Sequence, residues 1–444
     1  MPRKYWREVI NMNKDLELYD IADYTLKQLN KNGADGAEVW VSRGQMDELN
    51  LDAGKFSLMR TTFSTSMNIR ALSESRKGSY GTNKIDRDTA DIAVGAAIDA
   101  AKSSEPDSAE VISGGIGEHV FDLAQTDSNP DLMYDRMAEF MEQVKREYPK
   151  TDIMQFIVSH HKWNSLYANS NGTRSLTIGS QYGTSVSFSA RDGERTTSFN
   201  GSGYAAKDLD FPILAYADLR RLIAGSVMEL DAKPVDGKFT GTLLCSPNSV
   251  GFFLGSALGN CVGGGAIIAG TSPWKDKIGE IVADERINVS YDPRNERIIN
   301  GECLQDGYIA YKQDIIKDGR LMAFALNEYA SLKTGLPRAG ATGNMVVANG
   351  ASSVDELTAG IERGILINRF SGGSMSPNGD FSGVAKNSFL IENGKITGAI
   401  AETMVSGNML EMLFNVAGIS AEADCGGGSV IPWAAFNGVV ISGK

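Results

Sequence analysis

The sequence predicts an α+β protein of two domains. The first is an N-terminal α/β domain with a curved, mostly antiparallel sheet, and the second a C-terminal β-rich sandwich or barrel that carries one site helix. Three observations predict this. Up to about residue 233, helical and strand-like patterns alternate. Beyond Pro234 the chain reads mainly as short strands separated by glycine turns. A single glycine-rich helical run, from Ser246 to Gly265, interrupts that second half.

Residues 15–31 have the apolar spacing of an amphipathic helix (Leu16, Ile21, Ala22, Leu26, Leu29), closed by Asn32-Gly33. Strands are expected at about 37–43, 47–52, 56–62 and 66–73. Asp88–Ser103, with its alanine stripe, is a second helix, and Leu132–Tyr148, introduced by Asn129-Pro130-Asp131, a third. The polar, glycine-rich stretch 104–128 between them reads as a loop. Further strands span 152–205 with a turn at Ser170-Asn171-Gly172, and a long helix from Phe211 to Leu230 leads to the break at Lys233-Pro234. The expected domains are therefore 15–233 and 234–444, preceded by a candidate disordered extension over 1–14 in which Met12 is an alternative start.

With 444 residues the chain is too long for one ordinary core. Its net charge of −12 argues against nucleic acid, whose phosphates need a basic face. The four cysteines, at 245, 261, 303 and 425, have no CxxC spacing and suit reduced thiols in a cytosol. No apolar run reaches membrane-spanning length, and MPRKYWREVINMNKD lacks the apolar core of a signal peptide, so a cytoplasmic protein is expected.

The run SPNSVGFFLGSALGNCVGGG starts with Ser246 as a candidate N-cap and Pro247 at the first helical position, and a triple glycine is expected to end it. Val250, Phe253, Leu254, Ala257, Leu258 and Cys261 form one buried face, while Gly251, Gly255 and Gly259 leave the neighbouring stripe bare. The helix has the placing of a catalytic element, yet it carries no His, Asp, Glu, Lys or Arg.

Downstream follow AGTSPWKDKIGEIVAD (269–284), QDGYIAYKQDIIKDGRL (305–321), TGN (342–344) and GDFSGVAKNSFLIENGKITGAIAETMVSGNML (379–410). These motifs in this order resemble the TldD/PmbA family, whose members bear the names modulator of DNA gyrase and peptidase of small peptides. In one branch of that family the helix carries HExxxH, whose two His join a downstream Cys on zinc while the Glu acts as general base. Registering on Gly270-Thr271-Ser272 places this motif on Gly255 to Asn260, so Gly255, Ser256 and Asn260 stand where ligand, base and ligand would be. The downstream Cys corresponds to Cys425. The chain thus resembles the PmbA/TldE-like branch, which lacks HExxxH.

The resemblance implies a subunit inactive alone, with no cofactor of its own. It would pair with a TldD-like HExxxH paralogue that holds the zinc, in a heterodimer whose joint cavity receives an extended peptide. The alternative is an independent homodimeric peptide-binding or regulatory protein without protease activity. Neither reading involves nucleic acid or membrane.

Several residues have plainer readings. His160 and His161 are adjacent on an expected strand, point to opposite faces and cannot chelate one metal together. His119 is expected to be solvated in a loop. Gly379, Asp380, Phe381 and Ser382 could suggest a nucleophile with an acid, but no His is near them in sequence, and a cleft-shaping turn is the expectation. The glycines at 263–265, 372–373 and 426–428 lack the context of a phosphate loop. Cys425 is either a relic of a zinc site or a small residue in a glycine-rich turn.

Overall fold

A computed structural model describes the backbone of residues 3–443, apart from 125, 217, 373–374 and 402, and side chains from residue 15 onward. The N-terminal half contains α1 (Arg3–Lys31), β1 (Gly36–Asp52), β2 (Lys55–Ser73), β3 (Arg76–Thr82), α2 (Arg87–Ser103), β4 (Glu118–Asp122), α3 (Pro130–Glu147), β5 (Thr151–Asn169), β6 (Arg174–Asp192), β7 (Arg195–Thr196), β8 (Asn200–Ala206) and α4 (Leu219–Met228). The sheet runs β3-β2-β1-β5-β6, and β4, β7 and β8 also pair with β6. All of these pairs are antiparallel except β4 with β6.

The long strands are set by period-two alternation. Ala37, Val39 and Val41 pack beneath α1 and α2, while Leu49 and Leu51 pack in the cluster that contains α3. The helices are stopped and started as the sequence suggests. Asp86 caps α2 by accepting from Thr89 N, and Asn129 caps α3 by accepting from Leu132 N ahead of Pro130. The alanine stripe brings α2 so close to β3 that a Cβ on Gly78 would lie 1.9 Å from Ala97 O.

The C-terminal half is dominated by a ten-stranded sheet. Its order is Arg369–Gly372, Asp380–Lys386, Thr403–Asn408, Ile431–Ser442, Lys238–Cys245, Arg363–Ile367, Ser388–Glu392, Lys395–Ala401 and Lys233–Pro234, with Val416–Asp424 alongside Ile431–Ser442. A smaller sheet joins Arg320–Leu321, Gln313–Lys317, Val289–Tyr291 and Met345–Val347. Helix α5 (Pro247–Val262) shares one hydrophobic cluster with both, for Phe253 and Leu258 are buried together with Ile365, Ile441, Val289 and Ile316. This is the expected α+β architecture, with curved, mostly antiparallel sheets.

Several boundaries differ from the sequence reading. Each expected pair of short strands before residue 74 is one long strand, because β1 and β2 pair with each other along their whole lengths, through the residues between the expected strands. The stretch 104–128 contains β4, which the loop reading missed. The helix expected from Phe211 is shorter: 3-10 turns at Ile213–Ala215 and Glu229–Asp231 flank α4. The triple glycine ends α5 at Val262 but immediately begins the short α6 (Gly264–Ile268). Of the candidate extension over 1–14, residues 1–2 lie outside the described residues, and the backbone from Arg3 continues α1.

Candidate functional site

The start of α5 is tied to the neighbouring strand rather than capped by its own serine. Ser246 Oγ donates to Asn368 O at 3.3 Å and makes no capping bond, while Ser246 N and Ser249 Oγ both donate to Ile367 O at 3.1 Å. The apolar face is buried as expected, and burial pushes the Cys261 thiol up to about 12, so it is a neutral packing group. On the outward face Gly255 and Gly259 are open: a Cβ built on either meets nothing within 4 Å.

The turn before Asp380 comes directly to this helix. Asn260 Nδ2 donates to Ser376 O at 3.3 Å and Met375 O at 3.5 Å. Gly379, at φ +94°, closes the turn by donating to Ser376 O at 2.8 Å. Asp380 is held by Asn408 Nδ2 and Asn378 Nδ2, each at 2.8 Å, and these bonds, Asn408's first, lower its carboxyl below the usual range. Phe381 is buried, with its ring centroid 4.8 Å from Phe253 and 5.8 Å from Phe370. Ser382 is exposed on the same strand face as Asp380. No imidazole serves this pair, because all three His lie on the N-terminal sheet.

Cys425 is placed on the seam between the two halves. It lines a cavity of about 520 Å³ with Ala205, Tyr216, Arg297, Asp424 and Trp433. Ala205 N donates to Gly426 O at 3.3 Å, and burial raises the Cys425 thiol, opposed by Arg297. Cys425 follows the strand Val416–Asp424, and Ile431 of the next strand, which pairs with Asp424, approaches α5: its Cδ1 would lie 3.0 Å from a Cβ on Gly251. Of Gly255, Ser256 and Asn260, Asn260 is the one bonded to the turn that ends at Gly379, while Asp380, Phe381 and Ser382 begin a strand rather than forming the expected turn, and Cys425 lies on the seam.

A second surface was missed by the sequence reading. The helices cover one face of the N-terminal sheet, and the other face carries hydroxyls, amides and rings. Ser42 and Ser66 share a hydrogen bond of 2.7 Å, and Trp40 and Tyr167 meet at 5.0 Å. His161 stacks on Trp163 at 4.9 Å, and Trp163 lies so flat on β6 that a Cβ on Gly179 would come within 2.3 Å of its ring. Gln181 on the same face accepts from Asn300 Nδ2 at 3.1 Å, so a C-terminal loop reaches this sheet. His160 points the other way, onto Tyr182 and Thr126 O, and burial lowers both imidazoles, leaving them neutral at pH 7. His119 lies on β4, bonded to Ile116 O at 2.9 Å, rather than in a solvated loop. The signal in the sequence was Ser, Thr, Gly and Gln recurring every second residue along β6, from Ser175 to Ser189.

Two further contacts bind the halves. Asp107 pairs with Lys333 at 2.8 Å, which with its other hydrogen bonds lowers its carboxyl to about 2. Arg221 donates to Asn368 Oδ1 at 2.8 Å and lies over Trp433 at 4.2 Å. Among the described residues no three His, Cys, Asp or Glu side chains are grouped to hold a metal, and no helix is long and apolar enough to cross a membrane.

The family model described as the PmbA/TldA metallopeptidase C-terminal domain matches residues 237–443. Metalloprotease PmbA of Escherichia coli O157:H7 is 23% identical over 412 residues, covering 88% of this chain and 89% of that protein. A metalloprotease of Methanothermobacter thermautotrophicus is 28% identical over 230 residues, 48% of this chain, and the match spans only 50% of that relative's length. Among solved structures, TldE from Thermococcus kodakarensis superimposes with a TM-score of 0.81 at 19% identity, over 95% of this chain and 100% of that one. A Bacteroides thetaiotaomicron protein described as a suspected modulator of DNA gyrase gives 0.83 at 21%, over 96% and 99%. At these identities the structural likeness carries the fold.

Proposed function

This chain belongs to the metalloprotease-related TldD/PmbA family, and from that premise we propose that it is a non-catalytic subunit. It pairs with an HExxxH-bearing paralogue, which supplies zinc and general base, and completes a cavity that holds a small extended peptide. The observation that carries this reading is the outward face of α5, where Gly255, Ser256 and Asn260 offer no imidazole and no carboxylate.

Zinc does not fit this chain. A catalytic site needs three protein ligands and an open position, and here Asn260 is spent on the carbonyls of Met375 and Ser376 while Cys425 is a raised thiol on the seam. No step of hydrolysis is assigned to its residues. Their work is to hold substrate. The open sheet face supplies paired hydroxyls, the neutral His161 imidazole and the Trp163 ring, which suit backbone and side chains of an extended chain. Asp380, clamped by two amides, fixes the turn against which Asn260 rests. The net charge of −12 gives no attraction for DNA.

One observation favours the second reading, an independent homodimeric peptide-binding or regulatory protein: the open sheet face is complete within a single chain. Isolation of the native protein from its cell with mass spectrometry of what accompanies it separates the two. An HExxxH paralogue in equal amount supports the proposal, and recovery of this chain alone contradicts it.

A further inference from the structure

Another cavity on the seam, of about 430 Å³, lies between β8, α4 and the start of α5, and its unspent polar groups are donors. Asn200 and Asn368 line it at only 6% and 5% exposure, and each has spent its amide oxygen. Asn200 Oδ1 accepts from Gly201 N at 2.9 Å, and Asn368 Oδ1 accepts from Arg221 at 2.8 Å. Neither Nδ2 has a partner among the described residues, and neither is sealed off. Side chains so buried keep a free amide open only toward the cavity they line. Arg369 lines the same cavity, 4.7 Å over the Phe199 ring, and makes no ion pair or hydrogen bond among the described residues. Of the carboxyls there, Asp218 is paired with Arg221 at 3.1 Å, and burial, then Asp218, raises Asp424. Three unspent donor groups around one cavity call for a negatively charged acceptor.

The same cavity is walled by an open strand edge. β8 pairs with β6 alone among the described strands. Ala205 N turns away from β6 to donate to Gly426 O, so by the two-residue period the N–H and C=O groups of Gly201 and Gly203 turn away as well. Gly201 N is taken by Asn200, whereas Gly203 N has no such partner, and both glycines are exposed. We propose that this cavity takes the terminal carboxylate of an extended peptide, held by Asn200, Asn368 and Arg369, while the residues before it lie along the Gly201–Gly203 edge. From Asn200 to Gly203 is about 10 Å, the reach of roughly the last three or four residues of an extended chain. A phosphate or sulfate ion would use the donors but not the strand edge, and the edge is what selects a peptide. Beyond it there is room, because Asp218 and Asp424 also line the seam cavity that contains Cys425. Such a site deepens the peptide-holding role proposed above, on which it rests, and needs no catalytic partner.

Isothermal titration calorimetry of the purified chain tests this with an N-acetylated hexapeptide of alanine, serine and threonine, made once with a free carboxyl end and once as the carboxamide. The free acid should bind more tightly than the amide by on the order of tenfold. Arg369→Gln should remove most of that difference by weakening the free acid and leaving the amide unchanged. Asn200→Asp keeps an acceptor for Gly201 N and sets a negative charge beside the carboxylate, so it should act in the same way. Circular dichroism checks folding, and Arg369→Gln, at a half-buried side chain, decides the question if Asn200→Asp does not fold. Inorganic phosphate at the peptide's concentration should not displace it. Equal binding of acid and amide, or a difference that survives Arg369→Gln, would overturn the carboxylate site and leave the peptide-holding role standing. Failure of both peptides to bind would overturn both, and displacement by phosphate would reveal a site for free anions instead.

Discussion

Phe381 lies with its ring centroid 4.8 Å from that of Phe253, tilted at 52°, and this contact joins the Asp380–Lys386 strand to the buried face of α5. Phe370 closes the group at 5.0 Å from Phe253. Phe381→Ala should therefore cost about 3–5 kcal/mol, seen as a lower denaturation midpoint. Asp380→Asn, at an exposed carboxylate, should leave the midpoint nearly unchanged. Equal effects from both would mean that the ring contact is not what holds this strand to the helix.

The outward glycines of α5 behave differently from those in close contacts. Gly255→Ala and Gly259→Ala meet open space and should each stabilise the chain by up to about 1 kcal/mol, because alanine gives up less freedom in a helix. Gly78→Ala should cost about 1–3 kcal/mol or more, since its Cβ would collide with Ala97 O. Thermal unfolding of the three variants checks the contrast, and a drop for Gly255→Ala would show that the face is covered in the isolated chain.

Glu229 predicts a pH dependence. Burial pushes its carboxyl up to about 7, and Asn387 Nδ2 donates to its Oε2 at 3.0 Å while Oε1 has no partner. The folded state holds the proton more tightly than the unfolded one, whose value is near 4.5. Stability should then fall as pH rises from about 4.5 to 7, by at most about 3 kcal/mol, and level off above. Glu229→Gln should remove this component and be the more stable protein at pH 8. Superimposable urea titrations of the two proteins across that window would refute the assignment.

The isolated chain should carry no stoichiometric zinc, because its site helix offers no ligand and a lone raised thiol does not make a site. Elemental analysis after dialysis against a mild chelator checks this. One tightly held zinc per chain would contradict it.

Much of the fold was legible because alternation, caps and glycine breaks are local signals. Asp86 and Asn129 cap α2 and α3 where the sequence places those helices, and the buried face of α5 was read residue by residue. The strand lengths were not legible, since Arg43-Gly44-Gln45 looks like a turn until one face of the sheet is known to be open. Ser246 shows the limit of a local rule: a good capping residue spent its hydroxyl on Asn368 O, 122 residues away. The seam around Cys425 was equally hidden, because its neighbours Ala205, Arg297 and Trp433 are brought together only by the packing of the two halves.

The central claim is tested most directly by assaying an unstructured peptide with this chain alone, with its HExxxH paralogue alone and with the two mixed at equal concentration. The account predicts no cleavage by this chain, cleavage by the mixture, and loss of that cleavage when the glutamate of the paralogue's motif is replaced. Cleavage by the purified chain alone that a point substitution within it abolishes would contradict the account.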